Sequence, residues 1–178
     1  HGTPGAGAAK AATQTIPIVV ASIGDPVAGK LVNSLARPGG NLTGLAFFGP
    51  ELAAKRIELM KEAAPRVSQI AFVMNPANIS YRVTLQAVEQ GAKSLRVGLH
   101  LVEVRSASDL DAVFTIMLSK KINAILVEED ALLNALQPQI AARAAKFGMV
   151  TAGNSPIAEA GGMIGYGASG LEIGRAHV

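Results

Sequence analysis

No cysteine occurs in the sequence, which excludes disulfides and thiolate metal sites. That absence fits a periplasmic protein as well as a cytosolic one. Tryptophan is missing too, and aromatic residues fill only 4% of the 178 positions. Nucleic-acid binders combine stacking side chains with clustered basic charge. Here 16 basic and 13 acidic residues are dispersed along the chain, for a formal charge of +3. No nucleic-acid partner is expected. No uninterrupted apolar run is long enough to span a bilayer. Histidine is scarce: His1 and His177 sit at the ends, and His100 falls one position into an expected strand, where a structural role is expected. Neither an HExxH nor a GxSxG pattern occurs. No catalytic residue, metal site or cofactor is expected, and the chain is read as a binder and not an enzyme.

What is present is apolar sequence, 49% of the chain, in runs of strand length that alternate with amphipathic stretches of helix length. Strands are expected over 16–22, 42–47, 69–74, 99–104, 123–127, 149–152 and 163–166. Helices are expected over 26–36, 51–64, 80–96, 107–120 and 132–147, with a helical turn at 156–160. Asp25 and Pro26 read as cap and first turn of the first of these helices, and Arg37-Pro38-Gly39-Gly40 as its stop. Ser108 and Asp111 have capping-box spacing, and Pro138 marks a late start or a kink. The glycine-rich opening Gly2–Gly7 lacks the Lys-Ser/Thr of a P-loop and follows no strand, so it reads as a turn before a helix. The strands are near-continuous apolar runs and not alternating ones. That predicts an α/β fold with parallel sheets covered by helices on both faces.

In open parallel sheets, ligands sit beyond the carboxyl ends of the strands. This rule selects the loops 23–26, 75–80, 128–131 and 153–156. Within them, Asp25, Asn75, Asn78, Asp130 and Ser155 are the candidate ligand-binding residues. Asp25 reads equally as a helix cap, and the asparagines as local turn formers. Glu128-Glu129-Asp130 places three carboxylates at a strand end. They read either as a solvated helix N-terminus or as a seat for a ligand's ammonium group, in preference to a metal.

The stretch 16–44 carries a resemblance. Gly24-Asp25-Pro26-Val27, then Leu-Ala-Arg-Pro-Gly-Gly-Asn over 35–41, then Leu42-Thr43-Gly44 resemble, in order, the ABC-transporter substrate-binding protein family that includes tryptophan- and tyrosine-binding members. Pro50-Glu51-Leu52-Ala53 with Lys55-Arg56 and Glu58-Leu59, Asn75-Pro76-Ala77-Asn78, and Glu159-Ala160-Gly161-Gly162-Met163 with Tyr166-Gly167 extend it over nearly all of 2–167. Asp130 matches the family's aspartate after the fifth strand, whereas Glu128 and Glu129 depart from its pattern. The resemblance implies a type I periplasmic-binding-protein fold, with two α/β lobes closing on a small organic ligand. On that mapping, 1–47 ends the first lobe, 48–162 is the second lobe, and 163–170 crosses back. Residues 171–178 read as a non-native tail. It further implies an extracytoplasmic component of an importer, possessing a membrane permease as partner and a signal sequence upstream of His1. The same two-lobed fold also serves as the ligand-sensing domain of regulators and receptors.

Overall fold

The computed structural model describes residues 2–27, 29–46, 49–78 and 81–167. The expected tail at 171–178 lies outside them, as do Phe47 and Phe48 at the expected lobe boundary. The elements run α1 (Gly2–Ala12), β1 (Ile18–Ile23), β2 (Leu42–Ala46), α2 (Gly49–Ala63), β3 (Gln69–Met74), α3 (Tyr81–Ser94), β4 (Gly98–Glu103), a 3-10 turn (Ala107–Asp109), α4 (Leu110–Ser119), β5 (Ala124–Val127), α5 (Ala131–Lys146), β6 (Val150–Gly153), α6 (Ser155–Glu159) and β7 (Ile164–Gly165). Every expected strand is present, with ends within two residues of the expectation. Among the described residues no helix is long and apolar enough to cross a membrane.

Two parallel sheets result. β1 and β2 form one; the other has the order β4-β3-β5-β6-β7. In the larger sheet β3 and β5 are wholly or almost wholly buried. Their residues alternate between two cores. Ala71, Val73, Ile125 and Val127 meet Val113, Phe114 and Met117 of α4 and Leu133 and Ile140 of α5. Ile70, Phe72, Met74, Ala124 and Leu126 meet Ala53, Ile57 and Met60 of α2 and Val88 of α3. Burial on both faces is what near-continuous apolar strands require. His100 pairs with Gln69 through Nε2 and Oε1 at 2.7 Å, between adjacent strands.

The smaller sheet is covered more thinly. Ala6 of α1 packs with Ile23, Leu31, Val32 and Leu42. Val19 is 77% exposed and Ile16 66%.

Three local expectations fail. The helix expected over 26–36 is a series of turns in its described residues. Gly29 N–H donates to Asp25 O at 3.1 Å, Leu31 N–H to Pro26 O at 2.8 Å, and Lys30 is left-handed at φ 55°. Gly29, Val32, Asn33 and Ser34 are weak helix formers. The turn lets both Leu31 and Val32 join the core beneath α1. The capping interaction lies two residues earlier than expected: Asp109 Oδ2 accepts from Arg105 N–H at 2.7 Å and Ser106 N–H at 3.0 Å. These backbone donors, Arg105 first, hold the Asp109 carboxyl below its ordinary range, against a smaller opposing effect of desolvation. Finally, Gly2–Gly7 is no turn before a helix but the opening of α1 itself.

Candidate functional site

Chain order in the larger sheet reverses direction at β3. From β3 the chain moves outward to β4, then returns to the other side as β5. The gap between the carboxyl ends of β3 and β5 is therefore a topological switch point, where open α/β sheets bind ligands. The loops that leave these two strands carry Asn75-Pro76-Ala77-Asn78 and Glu128-Glu129-Asp130.

Asp130 knots the two loops together. It caps α5, accepting from Leu132 N–H at 2.8 Å and Leu133 N–H at 3.2 Å. Its two oxygens also accept the side-chain amides of Asn75 at 3.2 Å and Asn78 at 3.1 Å. All three residues are buried. Asn75 Oδ1 in turn accepts Ala77 N–H at 3.0 Å, fixing the turn.

In front of this knot lies a narrow cleft of about 20 Å³, lined from both sheets. The β1 side contributes Gly24 and Asp25; the β3–β5 side contributes Asn78, Glu128 and Glu129, with Arg56 from α2. Asp25 Oδ1 accepts Val27 N–H at 2.9 Å, so the residue orders its own turn as well as facing the cleft. An adjoining cavity of about 280 Å³ shares Asp25, Pro50 and Val83 and adds Pro26, Leu35, Ala46 and Glu51. Small-molecule pockets begin at roughly 300 Å³. One end of this space is thus charged and the other mostly apolar.

Of the five residues expected to bind ligand, Asp25 and Asn78 line the cleft. Asn75 and Asp130 stand behind it and hold Asn78. Ser155 starts α6, with Oγ donating to Gly167 O at 3.4 Å, and is not part of the lining.

Two lining residues lie outside those five: Arg56, which was not anticipated, and Glu128, named only within the carboxylate run at the strand end. Arg56 is only 1% exposed. Its Nε donates to Tyr166 O at 2.7 Å and its Nη2 to Glu129 Oε2 at 3.2 Å. Burial pulls the guanidinium pKa down, and Glu129 opposes that shift. A Cβ on Gly167 would stand 2.9 Å from Arg56 Nη2, so only glycine leaves this arrangement unperturbed. The sequence carried a signal: Arg56 lies three residues after Ala53 and four before Met60, on the buried stripe of α2. Glu128, only 3% exposed, has its backbone pinned by an N–H donated to Val73 O at 2.9 Å. Its Oε2 has no hydrogen-bond partner. Burial first, then the neighbouring Asp130, pushes its pKa up to about 9, against the Asn75 N–H that favours the anion. At neutral pH Glu128 is an uncharged acid. Among the described residues no group of three or more His, Asp or Glu is arranged to hold a metal.

Comparison with known proteins agrees with this architecture. The tyrosine-binding protein of Clostridioides difficile (strain R20291) is 28% identical over 136 residues, which are 76% of this chain and 39% of that protein. A conserved domain protein from Vibrio cholerae has 28% identity and a TM-score of 0.87, across 97% of this chain and 58% of its own. The ABC domain from Streptococcus pneumoniae in complex with L-Trp has 24% identity and a TM-score of 0.86, with the same coverage of both chains. The chain therefore spans well under two thirds of the length of these relatives. Residues 1–177 match the model of the family described as ABC transporter substrate binding protein, and the chain belongs to that family.

Proposed function

We propose that this chain is part of the extracytoplasmic solute-binding component of an ABC importer, and that its ligand is an amino acid held between two lobes. One observation carries the reading: the cleft is lined from both sheets, with charged groups at one end and a mostly apolar chamber at the other. An amino acid has that division, with ionic groups at one end and a side chain at the other. The relatives named for tyrosine and bound to L-Trp support the ligand class. On this reading 1–47 belongs to the first lobe and 48–162 to the second, with 163–170 returning toward the first. The pairing of β7 with β6 keeps 164–165 on the second sheet until that return. Binding needs no bond-making, so no turnover is expected. Hinge closure excludes water, and the closed form docks on the membrane permease.

Calorimetry with the two-lobed protein and the twenty amino acids tests this. Saturable binding of an aromatic or aliphatic amino acid is expected, with affinity reduced at least tenfold in Arg56→Ala. Absence of binding to all twenty, in folded protein, would refute the amino-acid reading.

A further inference from the structure

The cleft holds one polar atom that the protein leaves unused. Glu128 lines the cleft, and its Oε2 is buried with no partner. A buried polar atom without a partner costs on the order of 1–3 kcal/mol. Glu128 directly continues β5 with its N–H tied to Val73, and its carboxyl accepts the Asn75 N–H.

The charged groups around it fix which partner suits it. Asp25 faces it from the β1 side, Glu129 and Asp130 adjoin it, and Arg56 stands on α2. Arg56 is already engaged by Glu129 and the Tyr166 carbonyl. The three other acids, Asp25, Glu129 and Asp130, against one occupied guanidinium make this end of the cleft a place for positive charge.

We infer that Glu128 is the specificity-determining acid of the cleft, its Oε2 receiving the ammonium group of the ligand. The inference rests on the proposed amino-acid reading and deepens it. Glu128 enters the encounter as a neutral acid. When the ammonium arrives, the carboxyl O–H breaks, the proton leaves to solvent and the carboxylate accepts an N–H from the ligand. One proton is released per ligand bound. Affinity consequently rises with pH over the range in which free Glu128 is protonated and the ligand is still an ammonium ion, by up to about tenfold per unit.

The test is calorimetry at pH 6, 7 and 8, in two buffers of different ionisation enthalpy, on the two-lobed protein. The probes are L-tryptophan, L-tyrosine and L-valine, each with its decarboxylated amine and its deamino acid. Release of close to one proton at pH 7 is expected, along with affinity rising from pH 6 to pH 8. The deamino acids should bind at least a hundredfold more weakly than the amino acids. Glu128→Gln copies the neutral carboxyl in shape, so it should fold like the parent while losing both the proton release and the pH dependence. Amino-acid binding without proton release, or deamino acids binding as tightly as the amino acids, would overturn the inference and leave the amino-acid reading standing. Failure of every amine and amino acid to bind would overturn both.

Discussion

Asp130 shows how one side chain can set a site without touching its contents. Its carboxylate is consumed by two backbone N–H groups of α5 and by the amides of Asn75 and Asn78. Removing it strips a helix cap, worth about 1 kcal/mol, and takes one hydrogen bond from each of two buried amides, each bond contributing about 0.5–1.5 kcal/mol. Asp130→Ala should therefore lower stability by about 2–4 kcal/mol, read from urea unfolding with an unchanged slope. A loss below about 0.5 kcal/mol, the usual size of a surface change, would show that the knot contributes little. Position after a strand end was legible in the sequence, and it led to Asn75, Asn78 and Asp130 together. Whether a residue there meets ligand or braces a neighbour was not, because both roles use the same amide and carboxylate groups. Arg56 was hidden for a different reason. A lone arginine in a helix reads as solvated unless its place on the apolar stripe is given more weight than its charge.

At the scale of elements, continuous apolar strands specified the buried parallel sheet, since no other common arrangement covers both faces of β3 and β5. The turn series at 26–36 escaped because Asp-Pro at the start and Pro-Gly-Gly at the end punctuate turns as readily as helices. Only the burial of Leu31 and Val32 against α1 decides between them. The same thin cover has a dynamic consequence. Among the described residues β1 has one strand neighbour and exposes Val19, whereas β3 lies between β4 and β5 with helices on both faces. Regions with fewer buried apolar contacts open at lower free energy. Native-state hydrogen exchange on this chain should show Ile18–Ile23 exchanging faster than Gln69–Met74 by a factor of a hundred or more, about 2.7 kcal/mol at roughly 1.4 per decade. Equal protection would mean that the two sheets open only as one unit.

For the whole molecule, the buried acid makes stability depend on pH in an unusual direction. An ordinary glutamate titrates near 4.3 when unfolded; Glu128 in the folded chain holds its proton up to about 9. Between those values the folded state binds more protons than the unfolded state at this position. Its contribution is fully present in acid and is lost as pH rises, with a slope of at most about 1.4 kcal/mol per unit. The unfolding free energy of the parent, minus that of Glu128→Gln, should fall from pH 6 to pH 8.5. A flat difference would mean that Glu128 is ionised in the folded protein. The same buried proton alters what the molecule presents to its surroundings. The formal charge of +3 counts all 13 acids as anions. With Glu128 neutral, 16 cations face 12 anions, a formal charge of +4 at neutral pH. A zwitterionic cargo brings no net charge of its own, yet by expelling one proton it would return the complex to +3. Loaded and empty forms would then differ in electrophoretic mobility although nothing charged had been gained.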